Sequence, residues 1–175
     1  MEVASGVPID ILMIVDKMLS PESLKKIDLE IAKYPVDQKQ SASMAALRIA
    51  QVEKGWLSNE TIKFVAEYLE MPSIAVFEVA SFYNMYDLAP VGAKKITVCT
   101  NLPCALSGGG HAADYVKRKL GIEFNETTSD GKFTLKEGEC MGACGDAPVL
   151  LVNNHQMCSW MTEEKIDQLL ADLAK

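Results

Sequence analysis

Apolar residues recur at helical spacing over the first half of the chain and at consecutive or alternate positions over much of the second, so two kinds of element are predicted. Leu24, Ile27, Ile31 and Tyr34 form one stripe behind Ser20, a ready N-cap with Pro21 and Glu22 in the first turn. Pro35 should end that helix. A second stripe runs through Ala45, Ile49, Val52 and Trp56, with Gly55 near its end. A third follows a Ser58 cap with Ile62, Val65, Ala66 and Leu69, and Pro72 opens a fourth with Ala75, Val79 and Phe82 on one side. Residues 20–83 therefore read as a bundle of about four helices.

The pattern changes after Pro90 and Gly92. Residues 96–99 (ITVC) read as a short buried strand, and the glycine-rich residues 107–110 turn into a helix with Ala112, Val116 and Leu120 on one face before Gly121. Asp130 and Gly131 signal a turn, after which Phe133 and Leu135 alternate with Lys132, Thr134 and Lys136. Residues 149–152 form another strand candidate, Asn153 and Asn154 a turn, and 156–160 a hairpin return. Ile166, Leu169, Leu170 and Leu173 give a closing helix. Strand, helix, strands and helix in so short a span predict a small α/β layer fold. The domain reading is a loosely attached extension over residues 1–17, a helical domain over 18–90 and an α/β domain over 91–175. Met18 lies directly ahead of the Ser20 cap and makes a sensible alternative start.

Composition narrows the function classes. A chain of 175 residues with 49% hydrophobic and 23% charged content can build a core without disulfides. Its charge of −7 argues against nucleic acid, which requires clustered Lys and Arg, and makes proteins the expected partners. The longest apolar run, IDILMIV at 9–15, contains Asp10 and is too short to span a bilayer. It also lacks the basic start and small-residue cleavage site of a signal peptide, so a cytoplasmic protein without direct membrane insertion is expected.

In that reducing setting the five cysteines read as metal ligands or free thiols rather than disulfides. Four form two pairs, C-x4-C at Cys99 and Cys104 and C-x3-C at Cys140 and Cys144, each at the end of a predicted strand. Two such loops side by side would assemble four sulfurs. Thiolates suit iron in a [2Fe–2S] cluster, and loops wider than the C-x2-C of most structural zinc sites suit a two-iron unit. Spacing alone leaves zinc open. A dithiol oxidoreductase is the weaker reading, because neither pair is C-x-x-C. Gly142 and Gly145 are expected to permit positive φ and bring backbone amides to the sulfurs.

The runs VASFYNMYDLAPVGAKKITVCTNLPCALSGG and TSDGKFTLKEGECMGACGDAPVLLVNN, with DQKQSASMAALRIAQVEKGWLS in the helical half, resemble the NuoE-type [2Fe–2S] family of respiratory NADH:quinone oxidoreductase, complex I. The similarity runs from about residue 18 to 175. It implies a thioredoxin-like [2Fe–2S] ferredoxin domain behind the helical one, with Cys99, Cys104, Cys140 and Cys144 holding one cluster. It also implies a place in the peripheral arm, against the FMN-containing, NADH-binding flavoprotein subunit. There NADH would reduce FMN, and this cluster would exchange single electrons with the flavin, off the main path to quinone. No Gly-x-Gly-x-x-Gly run follows a strand, so NADH and FMN are expected in the partner and not in this chain. The alternatives are the equivalent subunit of an NAD-linked hydrogenase or formate dehydrogenase and, in another class, a zinc-stabilised scaffold.

Several residues have plainer readings. Cys158 is a small packed side chain once four thiolates satisfy the cluster, and His111 and His155 are unnecessary as ligands. Helical spacing places Phe82 in the core; the other reading for Phe82, Tyr83 and Tyr86 is a face toward the flavoprotein. Glu137, Glu139 and Asp146 either disfavour added negative charge at the cluster or belong to a solvated loop.

Overall fold

A computed structural model describes residues 18–175, so the expectation for residues 1–17 lies outside the described residues. The chain divides into two compact units on either side of the Pro90 and Val91 junction.

The first unit contains α1 (Pro21–Ile31), a 3-10 segment (Val36–Ala42), α2 (Ser43–Lys54), α3 (Asn59–Tyr68) and α4 (Ser73–Phe82). Ser20 caps α1 by accepting from Ser23 N, and its own N–H and hydroxyl donate to the Glu53 carboxylate on α2 at 2.8–3.1 Å. Gly55, at φ 82°, closes α2 in the left-handed conformation, and Ser58 caps α3. The 3-10 segment has no counterpart in the predicted elements, because VDQKQSA carries no apolar period.

The core of this unit gathers Ile27, Leu47, Ile62, Val65, Leu69 and Val76 around Ala46, Ala50, Ala66 and Ala80. The stripe predicted for α2 is displaced by one position: Ala46, Leu47 and Ala50 are buried, Ala45 and Ile49 are half-buried, and Val52 is 69% exposed. Small alanines face inward because α2 packs against α1, α3 and α4 together, and close approach favours methyl groups over larger side chains. Phe82, expected in the core, is 80% exposed at the end of α4, while Val76 and Ala80 fill the interior. Helix α4 is apolar almost all round, so spacing could not select its inner face.

The second unit is a four-stranded sheet in the order β2-β1-β3-β4: β1 (Lys94–Cys99), β2 (Phe133–Gly138), β3 (Leu150–Val152) and β4 (Gln156–Cys158). Helices α5 (Leu102–Leu106) and α6 (Gly109–Leu120) lie between β1 and β2 in sequence, and α7 (Glu163–Leu173) ends the chain. Strands β1 and β2 are parallel, whereas β3 runs antiparallel to β1 and pairs with β4 as a hairpin. Asn153 and Asn154 make its turn at φ 50° and 60°, a conformation Asn tolerates. Ile96, Val98, Leu135 and Leu150 are fully buried with Val116 and Ile166 from the helices. On the surface Asp167 of α7 accepts from Tyr115 and Lys119 of α6 at 2.9 and 3.0 Å. Thr134, expected on the polar side of β2, is 1% exposed. Its hydroxyl accepts from Gly92 N at 2.6 Å and bonds Thr127 Oγ1 at 2.7 Å, which is how a polar side chain is accommodated there. Among the described residues no helix is long and apolar enough to cross a membrane.

Candidate functional site

Parallel pairing of β1 with β2 decides where the cysteines go. Cys99 ends β1 and lies in register with Gly138, which ends β2 two residues before Cys140. Both cysteine loops therefore leave the sheet at the same end. Cys104 sits in α5, whose N-cap is Asn101 and whose first turn contains Pro103. Cys144 opens a 3-10 turn, Cys144–Asp146.

All five cysteines are free thiols, with Cys99 and Cys104 buried and Cys140 and Cys144 exposed. Cys99, Cys104 and Val149 form a small apolar cluster against Met141, Ala143 and Ala147, and Cys99 N donates to Val149 O at 3.2 Å. Burial pushes the Cys104 thiol up, and neighbouring Cys99 and Cys144 push it further, opposed by a backbone hydrogen bond from Val149. Burial also raises Cys144, with Cys140 and Cys99 adding to the shift. Cys104 and Cys144 thus each sense a cysteine of the other pair, where like charges would repel. The soft sulfur donors of the four cysteines suit iron or zinc. Among the described residues no three Cys, His, Asp or Glu side chains are gathered at the spacing of a single bound ion.

Glycines allow the loops to close. A Cβ on Gly109 would lie 2.8 Å from Cys104 O and 2.9 Å from Cys99 O, so α6 starts directly against the backbone of the first pair. A Cβ on Gly138 would meet Thr97 Cγ2 at 2.6 Å. Gly142 has φ 71°, as expected, and its N–H points to Cys140 Sγ at 3.5 Å. Gly145, expected to share that role, is not at positive φ and has open space around it, so the loop does not require glycine there.

Cys158 is half-buried in β4, where burial alone raises its thiol and its sulfur lies 3.8 Å from Gln156 O. His111 is exposed on α6 with Nε2 2.8 Å from Glu163, and His155 is in the β3–β4 turn. Phe82 and Tyr83 stack edge to face at 5.0 Å on the surface of the first unit. Tyr86 is buried and donates to Met44 O at 2.8 Å. The acidic residues all accept hydrogen bonds: Glu137 from Thr100 at 2.7 Å, Glu139 from Asn101 at 3.4 Å and Asp146 from Ser159 at 3.3 Å. Sequence reasoning misses Thr100, Asn101 and Val149, which carry no motif. It reads Gly109 only as part of the turn at residues 107–110, since the carbonyls of Cys99 and Cys104 that crowd it leave no local signal.

The sequence profile of the thioredoxin-like [2Fe–2S] ferredoxin family matches residues 27–174. The E subunit of the NADH-quinone oxidoreductase of Rickettsia typhi is 42% identical over 156 residues, covering 87% of this chain and 92% of that protein. The mitochondrial NADH dehydrogenase [ubiquinone] flavoprotein 2 of Dictyostelium discoideum is 39% identical over 152 residues, covering 85% of this chain and 62% of its own. Among solved structures, an NAD+-reducing [NiFe]-hydrogenase superposes with a TM-score of 0.65 at 19% identity, over 75% of this chain and only 22% of that one, a likeness of fold alone. The match to the family profile over most of the chain, together with relatives above two-fifths identity across nearly their whole length, places this chain in the thioredoxin-like [2Fe–2S] ferredoxin family.

Proposed function

We propose that the chain is an electron-transfer subunit of an NADH:quinone oxidoreductase, with Cys99, Cys104, Cys140 and Cys144 as the four ligands of one [2Fe–2S] cluster. The observation that carries the reading is the parallel β1–β2 pairing, which brings both cysteine loops to one end of the sheet. When bound, such a cluster supplies a reversible one-electron site whose potential depends on charge, sulfur hydrogen bonds and exposure.

The chain's own residues supply the rest. Buried Cys99 and Cys104, backed by Val149, keep water from one side. Exposed Cys140 and Cys144 define the side from which a partner approaches. The Gly142 amide, pointed at Cys140 Sγ, favours a charged sulfur. Hydride chemistry on NADH belongs in this reading to FMN in an adjacent flavoprotein subunit, since no Gly-x-Gly-x-x-Gly run follows a strand in this chain. Residues 18–90 serve as a helical domain and 91–175 as the cluster domain. The protein works at the cytoplasmic face of the membrane, held there through the other peripheral-arm subunits.

The fold shared with an NAD+-reducing hydrogenase, an architecture and not a role, leaves room for a second reading, the equivalent subunit of an NAD-linked hydrogenase or formate dehydrogenase. The much higher identity to NADH-quinone oxidoreductase proteins weighs toward the first. Copurification with quinone-reducing membrane subunits, rather than with a nickel-containing one, is the expected result.

The site is tested on purified protein. We expect a brown chain with about two irons and a rhombic EPR signal on reduction. Alanine at Cys99, Cys104, Cys140 or Cys144 should abolish or badly weaken both, whereas Cys158→Ala should leave them intact. A colourless zinc protein, or full iron in any of the first four variants, overturns the assignment.

A further inference from the structure

The two cysteine loops are joined by side chains that carry no sulfur. Thr100 directly follows Cys99, and Asn101 caps the helix that holds Cys104. Thr100 Oγ1 donates to Glu137 Oε1 at 2.7 Å, and Asn101 Nδ2 approaches Glu139 Oε2 at 3.4 Å. Glu137 is in β2, in register with Val98, and Glu139 immediately precedes Cys140. The two residues that lead from Cys99 toward Cys104 are thus tied to the two residues that flank Gly138 on the way to Cys140.

Carboxylates beside a thiolate site carry an electrostatic cost, because like charges disfavour one another. An ionised carboxylate only accepts hydrogen bonds, and here the donors are a hydroxyl and an amide from the opposite loop. A bond to an ionised acceptor is stronger than one between neutral groups. The contact spans 37 residues of sequence, so it adds a directional polar tie between two loops that the β1–β2 ladder and the apolar packing of Cys99 and Cys104 with Met141 and Ala143 also hold together.

We propose that Thr100 and Glu137 are positioning residues that clamp the first cysteine pair to the second, with Asn101 and Glu139 forming a longer second tie. The clamp rests on the four-cysteine reading above. It acts through the spacing of the sulfurs and touches neither iron nor electron donor.

The test uses the full chain as wild type, Thr100→Val, Thr100→Ser, Glu137→Ala and the double variant Thr100→Val with Glu137→Ala. Two readouts are followed: the rate at which an excess of chelator bleaches the visible absorbance, and the g values of the reduced EPR signal. Thr100→Val and Glu137→Ala should each bleach about tenfold faster, the scale of losing a hydrogen bond to a charged group, and should shift the g values. The double variant should be no faster than either single one, because both remove the same contact. Thr100→Ser keeps the hydroxyl and should behave as wild type. Wild-type rates in both single variants, or additive rates in the double one, overturn the clamp while the brown wild type upholds the ligand reading. A wild-type chain that binds no iron overturns the ligand reading and the clamp with it.

Discussion

Neighbouring glycines at the start of α6 should respond to alanine with opposite signs. At Gly109 a new Cβ would meet Cys104 O at 2.8 Å, Cys104 C at 2.9 Å and Cys99 O at 2.9 Å, and all three atoms are backbone. None can rotate away, so either the helix start or both cysteine segments must shift. Overpacking of this kind costs about 1–3 kcal/mol, and the helix propensity of Ala recovers only a part of it, at most ~1 kcal/mol in a helix interior and less at a first position. At Gly110, exposed and one residue further into the helix, a Cβ meets nothing within 4 Å. There alanine should stabilise by about 0.4–1 kcal/mol, chiefly by restricting the unfolded chain. Urea unfolding of the full chain, with hydrogen exchange of the β1 and β2 amides, reads the cysteine-bearing unit separately from the helical one. Iron content gives a second readout, since Gly109→Ala displaces the carbonyls of both Cys99 and Cys104. Equal stability of the two variants would refute the reasoning, because it would mean that α6 is free to move away from the first cysteine pair.

Further outcomes follow from the helical unit. Burial pushes the Tyr86 hydroxyl up to about 12, with Arg48 pulling the other way and Tyr83 adding to the rise. A group whose folded pKa is raised contributes fully below its unfolded value of about 10 and loses that contribution as pH climbs through the folded one. Unfolding free energy measured by urea should therefore fall from pH ~10 upward. Tyr86→Phe should reduce that slope while costing about 0.5–1.5 kcal/mol at neutral pH through loss of the bond to Met44 O. Tyr68, raised by burial and by its hydrogen bond to Asp28, supplies another part of the same slope. Leu47→Ala, at a fully buried position, should destabilise by about 2–5 kcal/mol. Phe82→Ser, at a site 80% exposed, should stay within about 0.5 kcal/mol of wild type in the same urea titration. A loss of several kcal/mol at Phe82 would restore it to the core.

Legibility in the sequence varies with how local the cause is. Ser20, Ser58 and Gly55 mark helix ends correctly because caps and left-handed glycines depend on a few adjacent residues. The buried faces of α2 and α4 differ from the predicted ones, since several faces of each carry apolar residues and neighbouring helices choose among them. Thr134 reads as solvent-facing because a hydroxyl looks polar in a strand pattern, yet Gly92 and Thr127 satisfy it inside.

The same division holds at the site. Sequence alone determined that four cysteines come as two spaced pairs at strand ends in a chain of this family, because ligand type and spacing are written in adjacent residues. Only the tertiary structure decided that the pairs share one end of the sheet. That follows from the parallel register of β1 with β2, set by contacts between segments far apart in the chain. It also decided that Glu137 and Glu139 reach back to Thr100 and Asn101, and that Gly109 is needed where two cysteine carbonyls crowd the start of α6. Such roles come from atoms that meet across the fold, and no local pattern in a chain records them.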